Sequence, residues 1–395
     1  MITKFYFDFR DVFRAGRMGF KGKKMMIHFL GLFIGYVVYE VLTYLSLIGN
    51  SILESFWQNY GLRPVFIIAH RLGDSLPLGT IILMIIGAFI WLVIYFIFAT
   101  AVSKVTIEEL RGDDFYSMKE ALKFAAKRSK SIYLAFVGII ALFLFCLLWP
   151  SLVGLIDLIP KVELAALHFG TPVTAFFTIP VYFLGLFMVL AIIACLAGIV
   201  LLPAIVAVTG EDTFESLYQL FSTIWNQPWR LVIYDILLDF VLVLGFCIFT
   251  VISVAGMYMA FLPSMLLAKQ ESYYFADMVA RSLKIVGASC LVSMVPGAQA
   301  VSAMPWTLDL ATFFFFASLI VVAGIVLSYP MSIISSGYTI IYVILRKKNS
   351  DENMLEVEEE EEEAETTEVD VSNESAEQKE GDSDQQSEVK TDNKE

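Results

Sequence analysis

The sequence predicts an all-α fold: a polytopic transmembrane helical bundle of about six spans, with amphipathic interfacial helices and a disordered acidic C-terminal tail. Three observations predict it. Six apolar runs begin near Ile27, Leu78, Ser131, Thr171, Leu231 and Leu308, and each is long enough to cross a bilayer core of ~30 Å, which takes about 20 helical residues. Hydrophobic residues make up 58% of the chain and charged residues 17%, a balance that leaves too much apolar surface for a water-soluble fold. Lys and Arg also concentrate on alternate hydrophilic segments, which orients the spans.

The formal net charge of −13 belongs to the tail. Residues 351–395 carry 20 Asp and Glu against 3 Lys, and the preceding 350 residues hold 24 Lys and Arg against 20 acids. The membrane body is therefore mildly basic. With the N-terminus placed in the cytoplasm, the segments 1–24, 104–130, 210–230 and 346–350 carry eighteen Lys and Arg. The opposite loops, near 50–77, 160–170 and 269–306, carry six. That bias is the one the positive-inside rule describes. It predicts cytoplasmic termini in a cell membrane.

In residues 1–24, Arg10, Arg14, Arg17 and Lys21 fall at helical spacing, with Phe5, Phe9, Val12, Phe13 and Phe20 as the apolar counterpart. This reads as a basic amphipathic helix ahead of an uncleaved signal anchor. Residues 25–349 hold the six spans. A cytoplasmic helix is predicted near 113–130, capped by Asp113 or Asp114, with Phe115, Met118, Leu122 and Ala125 opposite Lys119, Lys123, Lys127 and Lys130. Another is predicted near 212–228, where Asp212 with Glu215 forms a capping box and Phe214, Leu217, Phe221 and Ile224 share a side. Trp225, Pro228, Trp229 and Arg230 then mark a turn at headgroup depth. The two segments align loosely as a repeated unit of interfacial helix, sharp turn and ascending span.

The last three apolar runs, 171–208, 231–268 and 308–345, would each measure ~57 Å as a helix. Pro180, Pro203, Pro263 and Pro330 interrupt them, and a kinked span and a discontinuous helix around a cavity both fit. The stretch 282–303 fits a re-entrant element or a surface-lying helix equally. After Arg346, residues 350–395 turn polar and acidic, a composition that cannot offset its ordering entropy.

Ionisable residues inside spans are costly and are pointers to function. Glu40 lies in the first run, and Asp235 and Asp239 lie on one face of the fifth at i and i+4. They are candidates for a proton or cation relay, against a structural reading in which nearby tyrosines satisfy them. His70 and His168, with Asp74 and Glu163, follow no metal-ligand spacing, so no metal and no cofactor is predicted. Cys146, Cys195 and Cys247 lie inside apolar runs and form no disulfide framework.

The segments GEDTFESLYQLFSTIWNQPWRLVIYDIL, SSGYTIIYVILRKKNSDENMLEV and ATAVSKVTIEELRGDDFYSMKEALKFAAKRS resemble uncharacterised multi-pass bacterial membrane proteins. That pattern has a Pro-Trp turn before a span and an Ile-Tyr-hydrophobic-Leu-Arg ending on the last one. The resemblance implies this architecture and the bacterial inner membrane as its location, and no activity. The helix-then-span design is also loosely similar to the membrane domain attached to some glycerophosphodiester phosphodiesterases, whose catalytic domain has no counterpart in this sequence. The leading functional expectation is a membrane scaffold or envelope-maintenance component without enzyme chemistry. A transporter or channel subunit using the intramembrane carboxylates is the alternative, and an intramembrane enzyme the third. The expected partners are the lipid bilayer and a protein docked on the acidic tail, with no nucleic acid; the oligomeric state is open.

Overall fold

A computed structural model of the chain describes residues 5–60, 62, 76–155, 176, 178–267, 272–286 and 306–356. Among them there is no strand, and the helices in order are α1 (Phe9–Val12), α2 (Arg14–Gly19), α3 (Gly22–Leu47), α4 (Leu53–Tyr60), α5 (Leu78–Arg111) and α6 (Met118–Leu155). Then follow α7 (Thr178–Thr209), α8 (Thr213–Asn226), α9 (Pro228–Leu267), α10 (Ser272–Val286) and α11 (Trp306–Ser350). Six of them, α3, α5, α6, α7, α9 and α11, are long and apolar enough to cross a membrane. The chain is a multi-pass, all-α membrane protein. Two units divide it, residues 1–345 and 346–395. In the second, Arg346 Nη2 meets Glu352 Oε2 at 2.8 Å and Lys347 Nζ donates to the Asp351 carbonyl at 2.6 Å. The acidic stretch beyond residue 356 lies outside the described residues.

Alternation of the spans is fixed by contacts at one end of the bundle. Lys21, just before α3, pairs with Glu109 in the last turn of α5. Arg128 of α6 approaches Asp212, just after α7, at 3.8 Å. Gln227, just before α9, donates to the Leu345 carbonyl of α11 at 3.3 Å. These helix ends therefore share one face, termed here the charged face. Gly112 (φ 111) and Gly210 (φ 66) turn the chain there after α5 and α7, in a left-handed conformation that a side chain would strain.

Over the helices that are described, the three long runs are continuous, with Pro203 inside α7, Pro263 inside α9 and Pro330 inside α11. Each such proline forgoes one backbone hydrogen bond. The predicted helix near 113–130 is not separate. It forms the start of the 38-residue α6, which runs on through its span because nothing at Ser129–Lys130–Ser131 breaks it. Its cap is also different: the Ser117 hydroxyl accepts from the Glu120 amide at 3.2 Å, and Glu120 Oε2 accepts from the Ser117 amide at 3.2 Å. That is a reciprocal capping box. Asp212 stands at the N-cap of α8 without the predicted side-chain cap bond. The segment near 212–228 does break before its span, where Pro228 opens α9 as its first residue, and the N-terminal segment breaks at Phe20–Lys21 between α2 and α3.

The N-terminal segment is part of the core. Val12, Ala15 and Met18 are buried in one cluster with Tyr234 and Leu238 of α9 and with Tyr329, Ile333 and Ile340 of α11. Phe20 packs edge-on against Phe249 and Tyr329. Of the predicted apolar face, Phe9, Phe13 and Phe20 are exposed and Val12 turns inward. The small residues Ala15, Gly16 and Gly19 let the backbone enter the groove: a Cβ on Gly19 would lie 2.9 Å from Ile333. A second cluster joins α3, α5 and α6 through Ile27, Ala101, Val105, Ala121 and Ala125. Toward the other end, Tyr39, Leu47, Phe56 and Met84 join α3, α4 and α5, and α10 rests on α11 through Met278, Leu283 and Leu319.

Candidate functional site: intramembrane carboxyls, an apolar cleft and an ionic face

Glu40 sits seven residues before the end of α3, and its side chain is buried with Oε1 unpartnered. Tyr36 and Tyr44 flank it at i−4 and i+4 on the same side of the helix. The Tyr36 hydroxyl donates to the Leu62 carbonyl at 2.8 Å. The Tyr44 ring packs edge-on against Phe56 and Trp57 of α4. The tyrosines thus flank Glu40, yet its Oε1 has no hydrogen-bond partner among the described residues.

Residues 29, 33 and 36 of α3 continue the stripe below Glu40 at i, i+4 and i+7. With Trp91 of α5 and Phe316 and Leu327 of α11 they line an apolar cleft of about 270 Å³. Two glycines allow the α5 rings this close. A Cβ on Gly31 would stand 2.6 Å from Phe98 and one on Gly35 2.1 Å from Trp91. The spacing is the small-xxx-small pattern of close membrane helix packing.

Asp235 and Asp239 lie elsewhere. Asp235 accepts a short hydrogen bond from the Tyr338 hydroxyl of α11, and Asp239, one turn on, is exposed. Among the described residues no hydrogen bond or ion pair joins either aspartate to Glu40. Trp225 and Trp229 are both exposed around Pro228, and Arg230 Nη1 donates to Gln227 Oε1 at 3.4 Å. On α8, Phe214 and Tyr218 are exposed with Trp225, whereas Ser216, Leu220 and Ile224 are buried. The predicted grouping of Phe214 with Ile224 therefore divides between two faces.

The charged face carries interactions that residue patterns had not singled out. Glu109 receives Lys21 Nζ at 2.8 Å and Lys24 Nζ at 2.9 Å, and the Lys24 side chain is 0% exposed. Lys21 also reaches Asp114 at 3.0 Å, and Lys23 Nζ donates to the Tyr116 carbonyl at 2.6 Å. Partial burial pulls the Lys21 ammonium down, but its bonds to Glu109 and Asp114 outweigh that and hold it above its ordinary value. The Lys21 ammonium in turn holds the Asp114 carboxyl below its own. Next to these pairs runs a buried polar seam. His28 Nε2 and Ser335 Oγ share a hydrogen bond of 2.9 Å, Thr106 and Ser336 one of 3.1 Å, and Ser103 Oγ donates to the Ser335 carbonyl at 3.4 Å. In a bilayer such bonds between helices are what remains to specify packing once apolar contact no longer discriminates.

Among the described residues no three His, Cys, Asp or Glu side chains gather to hold a metal ion. His70, His168, Asp74 and Glu163 lie outside the described residues, as does most of 282–303. The fold and its polar contacts define a polytopic α-helical membrane protein. No family model, curated protein or solved structure matches the chain.

Proposed function

We propose that the protein is a membrane scaffold or envelope-maintenance component of the bacterial inner membrane, with both termini cytoplasmic and no enzyme chemistry of its own. The observation that carries this reading is the dispersal of its ionisable groups. Asp235 is bound to Tyr338, Lys21 and Lys24 of the charged face are paired with Glu109 and Lys21 also with Asp114, and among the described residues no hydrogen bond or ion pair links Glu40 to either set. A transport relay calls for carboxyls that converge on one path; here the paired charges hold helices together. The aromatic side of α8, with Phe214, Tyr218 and Trp225 outward, suits the headgroup layer, where amphipathic rings are favoured. The acidic tail supplies the docking arm for a protein partner.

Affinity purification in mild detergent, with and without residues 350–395, tests the reading. A scaffold retains a specific partner that is lost with the tail. Identical eluates, together with ion or solute flux in proteoliposomes that Glu40→Gln abolishes, would replace the scaffold by a transporter.

A further inference from the structure

We infer that the cleft beside Glu40 holds one acyl chain of a phospholipid whose head group presents a primary ammonium to the Glu40 carboxyl. The inference is independent of the scaffold reading and rests on four features of the first span.

The cleft is apolar and lies between α3, α5 and α11, with Leu62 as a further wall beside Tyr36. Its volume of about 270 Å³ is just under the ~300–1,000 Å³ of pockets that take a whole drug-sized ligand. One hydrocarbon chain fits that description better than a compact polar solute does.

The cleft also has a direction. Its α3 lining runs from Tyr36 to Phe29, away from Glu40 and back toward the start of the helix, over roughly 10 Å at 1.5 Å per residue. Glu40 stands one turn beyond Tyr36 on the same stripe.

Depth agrees with this direction. The 26 residues of α3 make a rod of ~39 Å against a hydrocarbon core of ~30 Å. With the rod centred on that core, Glu40, about 10 Å from its end, falls a few ångströms inside the boundary of the leaflet facing away from the charged face. A lipid of that leaflet has its head at this height and its chain pointing along the cleft.

Finally, Glu40 is 6% exposed and its Oε1 has no partner, and helical spacing sets this unsatisfied acceptor on the stripe that lines the cleft, one turn beyond the Tyr36 end. Leaving such a group unpaired is costly, more so for a carboxylate. An ammonium with N–H donors complements it in both charge and hydrogen bonding. A quaternary ammonium offers charge alone, and a glycerol head group offers hydroxyls beside a net negative charge.

The test uses the full-length protein in mild detergent, with phosphatidylethanolamine, phosphatidylcholine or phosphatidylglycerol of identical acyl chains added at equal mole fraction. Lipid retained per protein is counted by native mass spectrometry. The expected result is one tightly held phosphatidylethanolamine, preferred about tenfold over the other two, as a charge-assisted hydrogen bond warrants. Glu40→Gln should reduce the preference to near parity while a chain is still held. Ala323→Trp, which fills the cleft from α11, should reduce retention of all three lipids and tests the chain site even if the Glu40 variant does not fold. Equal retention of the three lipids by the native protein would overturn the inference. So would a preference that persists in Glu40→Gln, or binding indifferent to Ala323→Trp.

Discussion

The two ends of the bundle are built differently. At the charged face, residues 99–103 of α5, 201–208 of α7 and 339–345 of α11 are buried on every side. Toward the other end, neighbouring helix turns such as Tyr182, Phe183, Leu186 and Phe187 of α7 or Phe313 and Phe314 of α11 are exposed. The hydropathy of the spans does not anticipate this, because lipid tails are as apolar as leucine and exert no drive to bury one end over the other. The difference lies in polar chemistry and small residues. The His28–Ser335 and Thr106–Ser336 bonds, the lysine pairs to Glu109 and the inserted α1 and α2 all belong to the charged-face part of the bundle.

The largest effect that would break this contrast is expected at Glu109. Glu109→Gln leaves the Lys24 ammonium buried without its counter-charge, and loss of one partner of a buried pair costs about 3–5 kcal/mol. Thermal unfolding in detergent should show a large drop and a falling yield of monodisperse protein. Glycine substitutions come next. A Cβ on Gly337 would meet Leu238 at 2.2 Å, whereas one on Gly256, far along α9, meets nothing within 4 Å. Gly337→Ala should destabilise by about 1–3 kcal/mol through overpacking. Gly256→Ala should be neutral or stabilising by up to ~1 kcal/mol from helix propensity. Equal melting temperatures for the two variants would erase the contrast. A smaller effect is expected at the seam: Ser335→Ala, which removes the bond to His28, should cost about 0.6–1.7 kcal/mol, the range for hydrogen bonds between membrane helices.

The smallest effect is a pH dependence at the rim of the charged face. Asp114 is held below its ordinary pKa by Lys21. Its contribution is therefore present above the unfolded carboxyl value of ~3.9 and is lost as pH falls through the depressed folded value. Lys21 is held above its ordinary value, so its contribution is present below the unfolded value of ~10.4 and fades as pH rises through the elevated folded one. Melting curves of the native protein and Asp114→Asn should differ slightly at neutral pH and merge in acid; curves that stay apart in acid would place the difference elsewhere.

The spans were legible in the sequence because each satisfies the bilayer by itself, through length and apolarity. The break before α9 was legible because Pro228 imposes it locally. Capping was less so. Asp113, Asp114 and Ser117 are all competent caps, and their choice depends on where Gly112 releases the chain from α5 and on what Lys21 draws to Asp114. The division of α8 into faces was misread because exposure on it does not follow hydrophobicity: Phe214 and Tyr218 face outward while Ser216 and Gln219 are buried on the side of Leu220 and Ile224. Of the site, Glu40, Asp235 and Asp239 were visible as charges out of place. The Tyr338 partner of Asp235, 103 positions away, and the Lys24–Glu109 pair depend on which helices become neighbours, which no local pattern encodes. Gly31 and Gly35 did carry a signal, since a pair at i and i+4 marks a close approach; it says nothing of which rings arrive.

The contrast between the two ends is tested most directly by a double-mutant cycle of Glu109→Gln and Lys24→Met, read as thermal unfolding of the full-length protein in one detergent. If the pair is a buried charge bond that specifies packing at the charged face, Glu109→Gln alone is strongly destabilising and Lys24→Met added to it restores much of the loss, because the unpaired ammonium is gone. Strictly additive losses, or a Glu109→Gln protein as stable as the native one, would contradict it.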